Sequence, residues 1–121
     1  MTMTMTDAGP HPYEVWRLSF FFEDQPDVKK ERPAIVAVVD HTDEIALVVK
    51  VTGHGPRPEF PGEIRISDWK EAGLTKPSTA RCSKTMTVPL MAFQKATKYG
   101  SLTVKDAAEI EDALRGLGII A

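Results

Sequence analysis

The chain has 121 residues, of which 42% are hydrophobic and 26% charged, and its net charge at pH 7 is −2. This length allows one domain with its own core. The longest aliphatic run, AIVAVV at 34–39, has six residues, which is too short to span a bilayer. A single cysteine, Cys82, excludes an intramolecular disulfide and indicates a reducing compartment, so we expect a cytoplasmic protein with no membrane association.

The first twelve residues, MTMTMTDAGPHP, lack the basic start and apolar block of a secretory signal. They predict a disordered tail over residues 1–12, followed by one domain over residues 13–121.

Several short strands are predicted in the first half of the chain. Residues 13–22 are aromatic and partly alternating, which is typical of a strand, and the charged stretch 23–31 predicts a loop. The β-branched runs 33–39 and 45–51 flank a polar connection and predict an antiparallel hairpin. Residues 52–62 hold three Pro and three Gly and cannot form regular structure.

The second half of the chain predicts two more strands and a helix. EIRI at 63–66 alternates as a strand does, SDWKEAG at 67–73 predicts a helical turn that ends at Gly73, and STARC at 78–82 predicts another strand. VPLMAF at 88–93 would continue that strand after a kink at Pro89. A terminal helix is predicted from a cap at Thr103 and from apolar residues at helical spacing: Val104, Ala107, Ile110, Leu114 and Leu117.

Five or six strands and one helix predict a mainly β fold: a small, strongly curved sheet or half-open barrel with the helix packed on one face or end.

Charge is unevenly distributed along the chain. Residues 72–105 contain six Lys or Arg and no acid, whereas residues 1–71 contain eight bases and thirteen acids. Within the acid-free segment, residues 73–89 also carry six Ser or Thr hydroxyls. The segment either creates a local positive field that attracts phosphate or forms a solvated face whose acids lie nearby in space.

No metal site is predicted. His11, His41 and His54 are scattered, and the sequence lacks G-x-S-x-G, GxxxxGK and GxGxxG motifs. Cys82 has no neighbouring histidine in the sequence and is interpreted as a buried structural thiol rather than a nucleophile.

Two polar residues stand where apolar strands meet loops. Arg32 lies between the charged loop and an apolar strand, where its guanidinium could face a phosphate or form a surface ion pair with Glu31 or Asp24. Thr52 ends the second hairpin strand, where its hydroxyl could serve function or satisfy loose backbone groups.

An ordered set of motifs resembles the PemK/MazF family of type II toxins over about residues 13–119. The set consists of Trp16, FFFED at 20–24, K-x-x-R-P-A-I-V-A-V at 29–38, V-x-V-T at 49–52, G-L-x-K-P-S at 73–78, Arg81-Cys82, and Y-G-S-L at 99–102 before a closing helix.

The resemblance implies a small SH3-like half-open barrel of five to seven short strands with a C-terminal helix, acting as a homodimer. It implies endonucleolytic cleavage of single-stranded RNA, including mRNA, by attack of the 2′-hydroxyl, without a metal or other cofactor. It also implies inhibition by a cognate antitoxin.

The resemblance matches the family's functional arginines and hydroxyl with Arg32, Thr52 and Arg81, which are the predicted catalytic residues. We further predict an RNA-binding set around them: Lys29, Lys30, His54, Lys76, Ser78, Ser83 and Lys84. The rings available to stack on bases are Trp16, the phenylalanines at 20–22 and Phe60, and those in strands are expected to be mostly core.

The chain departs from the family pattern in places. The Asp and Gln that follow Arg-Cys in one branch are Ser83 and Lys84 here, and the residues before Trp16 are Tyr13-Glu14. The general base is therefore open, with Glu23, Asp24 and His54 as candidates.

Two rival functions follow from the same resemblance. A gyrase-poisoning toxin on this fold would carry a tryptophan near its C-terminus, whereas this chain has no aromatic residue after Tyr99. A non-catalytic family member that only binds an antitoxin or regulates would be compatible with Ser83.

Overall fold

The computed structural model describes residues 9–21 and 29–121. Within them, six antiparallel strands form one sheet in the order β4-β5-β3-β2-β1-β6. A 3-10 helix and one α-helix complete the chain. The elements are β1 (Glu14–Phe21), β2 (Lys29–Asp40), β3 (Ile45–Thr52), β4 (Glu63–Ile66), β5 (Ser78–Pro89), the 3-10 helix (Leu90–Phe93), β6 (Thr97–Ser101) and α1 (Val104–Gly116).

The predicted hairpin is confirmed as β2 and β3. Its turn at residues 41–44 follows Asp40, whose Oδ1 accepts the N–H groups of Thr42 at 3.0 Å and Asp43 at 3.1 Å. Glu44 takes a positive φ of 57°. A short acidic side chain that binds the backbone of the next residues is a common way to start such a turn.

One face of the sheet packs against α1, and we call it the helix face. Its core is aliphatic: Ile110 and Leu114 of the helix are fully buried against alternate residues of the strands. Cys82 belongs to this core and is buried, as predicted. The strand residues involved include Val15, Ile35, Val49, Val51, Ile66 and Ala80.

The opposite face is half apolar and half polar. Its apolar half packs Trp16, Leu18, Ala34 and Val48 beneath Phe93 of the 3-10 helix. The Trp16 and Phe93 rings meet edge to face at 5.2 Å, which is a favoured aromatic geometry. Trp16 is therefore a core residue rather than a base-stacking one.

The buried indole of Trp16 is tied to Glu14. Its Nε1 donates to Glu14 Oε1 at 2.9 Å, and Lys98 lies 2.8 Å from the other carboxylate oxygen. Burial raises the pKa of Glu14, but hydrogen bonds from Lys98 and Trp16 outweigh it, and the net pKa is lowered.

The cap predicted at Thr103 is present at the start of α1, but it is not part of a reciprocal capping box. The Thr103 hydroxyl accepts the Asp106 N–H at 3.4 Å, whereas the Asp106 carboxylate accepts the N–H groups of Ser67 at 3.2 Å and Asp68 at 2.8 Å. The Asp106 side chain thus joins the helix start to a distant turn instead of closing a capping box. Val104 and Leu117, predicted on the apolar face, are 88% and 36% exposed, because the sheet covers only the middle of the helix.

One prediction for the segment before α1 was wrong. The strand predicted at 78–82 is confirmed as part of β5, which runs to Pro89, but residues 90–93 do not continue it and form the 3-10 helix that carries Phe93. Strand β6 was not predicted, because TKYGS lacks a clear apolar alternation.

Strand β5 contains a three-residue bulge. Val49 pairs with Thr85 and the next residue, Lys50, pairs with Arg81, so residues 82–84 have no counterpart on β3. The Cys82 N–H instead donates to the carbonyl of Gly62 at 3.0 Å. The bulge bends the strand around the helix face.

The predicted fold class is confirmed: a curled, mainly β half-barrel with one C-terminal helix. The predictions for residues 1–8, for Glu23 and Asp24 and for the part of the 23–31 loop up to residue 28 concern residues outside those described, and the side chains of Phe20, Phe21 and Lys29 are also outside them. In the part of the chain that is described, no helix is long and apolar enough to cross a membrane.

Candidate functional site

The polar half of the face opposite α1 brings the three predicted catalytic residues together. Lys50 of β3 pairs with Arg81 of β5 and with Ala34 of β2, and directly paired residues project from the same face. Thr52 and Arg32 lie two residues from Lys50 and Ala34 along their strands, so they share that face. We call this set the polar patch: Arg32, Lys50, Thr52, Thr79, Arg81 and Glu63.

The patch spans four neighbouring strands. Adjacent strands lie about 4.8 Å apart, so β2 and β5 are about 10 Å apart with β3 between them. Arg32 is level with Thr52, whereas Arg81 lies two residues further along, which separates the backbone positions of Arg32 and Arg81 by about 12 Å. An extended chain of phosphates could contact these positions in turn.

Arg32 is exposed at the rim of the patch. Its Nη1 donates to the backbone carbonyl of Glu31 at 3.0 Å. The Glu31 carboxylate pairs with Arg17 instead, at 2.6 Å. The alternative interpretation, a surface ion pair between Arg32 and Glu31, is therefore not observed.

Arg81 is held by a buried carboxylate that the sequence did not single out. Its Nε donates to Glu63 Oε2 at 3.0 Å, and the Glu63 side chain is 1% exposed. Arg57 binds the same carboxylate through three hydrogen bonds. Its backbone N–H and its Nε donate to Oε1 at 2.9 Å and 3.3 Å, and its Nη2 donates to Oε2 at 3.0 Å.

The ring of Phe60 lies against both arginines. The guanidinium carbons of Arg57 and Arg81 are 4.4 Å and 5.1 Å from its centroid, which is within the range of cation–π attraction. Phe60 thus acts as a packing surface for the two cations.

The hydrogen bonds of Arg57, with some opposition from burial, lower the pKa of Glu63 to about 2. At neutral pH this carboxylate is ionised and a weak proton acceptor. Two arginines and one carboxylate leave this cluster with one net positive charge.

The Pro/Gly loop after β3 is anchored next to Thr52. The Thr52 hydroxyl accepts the His54 N–H at 3.4 Å, and the buried Thr79 hydroxyl donates to the His54 carbonyl at 2.5 Å. A Cβ on Gly53 would lie 3.1 Å from Lys76 Nζ, so Lys76 covers the loop backbone. His54 itself is exposed beside the patch.

The remaining members of the predicted RNA-binding set are placed differently. Ser78 is buried, and its hydroxyl donates to the Lys76 carbonyl at 2.9 Å, which makes it a structural hydroxyl. Ser83 and Lys84 are exposed on the β5 bulge. Lys30 is exposed near the start of β2.

The acid-free segment does not form one continuous positive surface. Its strands, β5 and β6, lie in different parts of the sheet, with three strands between them. Two of its cations, Arg81 and Lys98, are paired with Glu63 and Glu14 from elsewhere in the chain. Both interpretations of the acid-free segment are therefore partly correct: it contributes Arg81 to the polar patch, and two of its cations are paired with acids from elsewhere in the chain.

Cys82 is unsuited to nucleophilic chemistry. Burial raises the pKa of its thiol to about 11, so the reactive thiolate is scarce at neutral pH. Among the described residues, no group of three or more His, Cys, Asp and Glu could hold a metal ion.

Glu63 and Arg57 were not predicted from the sequence. Arg57 lies within the Pro/Gly-rich stretch 52–62 and Glu63 directly follows it, and only the β4–β5 register, which places Glu63 opposite Arg81, brings them to the patch. The available sequence signal for Glu63 was its position in EIRI, where a carboxylate alternates with the apolar Ile64 and Ile66.

Residues 11–117 match the family described as PemK-like, MazF-like toxins of type II toxin–antitoxin systems. A search of curated protein sequences gave no significant match.

Solved structures share the fold. One in a MazE–MazF crystal structure from Deinococcus radiodurans is 13% identical, with a TM-score of 0.68, and the match covers 93% of this chain and 98% of that one. The Mycobacterium tuberculosis toxin MazF-mt6 is 17% identical, with a TM-score of 0.59 and coverage of 88% and 97%. A mycobacterial endoribonuclease in complex with its cognate antitoxin is 18% identical, with a TM-score of 0.62 and coverage of 93% and 98%.

Proposed function

Because this chain belongs to the family of PemK-like, MazF-like toxins of type II toxin–antitoxin systems, we propose that it is an endoribonuclease that cleaves single-stranded RNA without a metal ion. The observation that carries this proposal is the register of β2, β3 and β5, which puts Arg32, Thr52 and Arg81 on one face.

In the proposed reaction the 2′-oxygen attacks the adjacent phosphorus. The new 2′-O–P bond forms as the P–O5′ bond breaks, which leaves a 2′,3′-cyclic phosphate and a 5′-hydroxyl. The proton of the 2′-hydroxyl passes to a base, and the departing 5′-oxygen takes up a proton.

Arg32 and Arg81 would stabilise the negative charge on the phosphate oxygens in the transition state. Arginine keeps its charge at any physiological pH and presents a fork of donors that fits phosphate. Thr52, between the two, would hold a phosphate oxygen or orient the 2′-hydroxyl.

The base is not assigned. Glu63 is excluded by its low pKa and its engagement with two arginines. His54 adjoins Thr52 within the described part of the chain, and Glu23 and Asp24, which lie outside the described residues, remain candidates.

The proposal extends to partners. We propose that the chain works as a homodimer, as the resemblance to its family implies. We also propose that a cognate antitoxin inhibits it, because structures of the same fold include a MazE–MazF complex and an endoribonuclease with its antitoxin.

The test is cleavage of an end-labelled, mixed-sequence RNA in EDTA, with mapping of the product ends. We expect Arg32→Ala and Arg81→Ala each to lower kcat about a hundredfold or more, because each removes a donor to the developing charge. Arg115→Ala, which removes an exposed arginine from α1, should leave the rate unchanged.

A DNA oligonucleotide of the same sequence controls for the mechanism, since it has no 2′-hydroxyl and should stay intact. Light scattering on the same sample measures the dimer, and purified antitoxin added to the assay should stop cleavage. Intact RNA after incubation with folded wild-type protein would contradict the nuclease and favour a non-catalytic binding role.

A further inference from the structure

The buried carboxylate of Glu63 is bound by two arginines. Its two carboxylate oxygens accept four hydrogen bonds, three from Arg57 and one from Arg81. It lies at the first position of β4, on the same face of the sheet as Arg81. Its side chain is almost completely buried, while both arginines retain partial exposure.

The geometry leaves the outer edge of Arg81 available. The bond to Glu63 uses Nε, and in the described part of the chain the terminal nitrogens Nη1 and Nη2 have no hydrogen-bond partner. A guanidinium held by one edge presents its other donors in a fixed direction. Phe60 packs against the plane of the same group and limits its rotation.

The same carboxylate fixes the Pro/Gly loop. Arg57 donates to it through both its backbone and its side chain, across six residues of loop. Without these bonds, the loop would keep the His54 contacts near Thr52, the Phe60 N–H bond to the Arg57 carbonyl and the Cys82 N–H bond to the Gly62 carbonyl, and none of these holds the Arg57 side chain. Glu63 therefore links the orientation of Arg81 to the conformation of the loop beside it.

We propose that Glu63 is a positioning residue for RNA cleavage: it orients the guanidinium of Arg81 toward the scissile phosphate and holds the Arg57–Phe60 loop at the edge of the same site. This inference deepens the proposed function and rests on it. Glu63 itself does not contact the substrate.

The main test is a double-mutant cycle with Glu63→Gln and Arg81→Ala. A glutamine side chain has one acceptor oxygen and one NH₂ donor group, so it cannot accept the hydrogen bonds of both Arg57 and Arg81. We expect Glu63→Gln alone to lower kcat/KM about a hundredfold, as expected for a misplaced catalytic group. In the Arg81→Ala background, the same substitution should change kcat/KM less than about threefold, because residues that act as a unit are not additive.

Arg81→Lys provides a second variant that keeps the charge and the ion pair. A lysine bound to Glu63 has a single nitrogen and no fork left for the phosphate, so its activity should be as low as that of Arg81→Ala. Glu111→Gln, a Glu-to-Gln change at a partly exposed position of α1 remote from the polar patch, is the matched control and should leave kcat/KM unchanged.

A binding measurement separates this inference from the nuclease proposal. Fluorescence anisotropy with a DNA oligonucleotide, which cannot be cleaved, gives the affinity of the same variants. If wild-type protein binds without cutting RNA, and Glu63→Gln weakens binding only when Arg81 is present, the positioning role stands and the nuclease falls. Additive effects of Glu63→Gln and Arg81→Ala, or wild-type activity in Arg81→Lys, would overturn the positioning role.

Discussion

At the residue scale, the ionisation of Glu63 couples the site to the stability of the fold. The unfolded chain should bind a proton on this carboxyl near its ordinary pKa of about 4.3, whereas the folded chain does so at about 2. A group whose pKa is lower in the folded state stabilises that state above the unfolded pKa. This stabilisation is lost as the pH falls through the folded pKa.

We therefore predict that the free energy of unfolding decreases as the pH is lowered from about 5 toward 2, and that Glu63→Gln flattens this decrease. Urea denaturation followed by circular dichroism at several pH values in this window measures both. Equal pH slopes in the wild type and Glu63→Gln would show that other carboxyl groups dominate.

The residues of the site differ in how far the sequence alone could predict them. The sequence could single out Arg32, Thr52 and Arg81, because each belongs to a short motif within a strand. The strand register then places all three on one face of the sheet. Glu63, Arg57 and Phe60 meet only through the fold of an irregular loop and the pairing of β4 with β5. Neither periodicity nor charge counting can fix such a loop.

At the scale of elements, the turn at 67–74 packs closely on β6. Gly73 has a φ of +88°, and a Cβ there would overlap the backbone carbonyl of Tyr99. Gly100 of β6 lies against the backbone of the same turn, and a Cβ there would be 2.6 Å from the Ala72 carbonyl oxygen. Only glycine allows both this conformation and this approach.

Gly73→Ala should destabilise the protein by about 2–4 kcal/mol, because the new methyl group meets rigid backbone at a positive φ. Gly116→Ala is the matched control: its Cβ would meet nothing within 4 Å, and alanine favours the helix by up to about 1 kcal/mol. Thermal unfolding of the two variants should shift in opposite directions. A Gly73→Ala protein as stable as the wild type would contradict the close packing.

The element boundaries that the sequence predicted well belong to segments with a strong local signal. The hairpin strands and EIRI carry clear β patterns, and Thr103 marks the helix start. Strand β6 was missed because its pairing with β1, rather than its own composition, makes it a strand. The Thr103 cap was predicted, but the role of the buried Asp106 was not, because its carboxylate binds backbone N–H groups almost forty residues away.

At the scale of the whole molecule, charge separates by position. The polar patch carries Arg32, Lys50 and Arg81. On the other side of the sheet, α1 presents Glu109 and Asp112 as exposed acids and Glu111 in an ion pair with Arg115. A protein with a negative net charge can thus still offer a positive surface to an anionic polymer.

This arrangement predicts that the affinity for a single-stranded oligonucleotide falls with salt. A log–log plot of the binding constant against salt concentration has a slope of about −0.7 for each phosphate neutralised on a single strand. Arg32→Ala should make the slope shallower by about that amount, whereas Arg115→Ala should leave it unchanged. A slope near zero in the wild-type protein would exclude binding through phosphates.

The overall architecture was accessible from the sequence because strands, turns and one helix are encoded locally and allow few ways to cover a small sheet. The division of the open face into apolar and polar halves could not be predicted from the sequence, since it depends on the order of the strands.

The bulge in β5 also inverts the phase of the strand. Cys82 and Val88 are six residues apart, a spacing that puts both on one side of a regular strand, yet they belong to cores on opposite sides of the sheet. An odd number of extra residues at 82–84 produces this switch. Arg81 and the apolar Val88 can therefore lie on the same face of the sheet. Loss of one residue between them would move one of the two to the opposite face and so disrupt either the core or the polar patch.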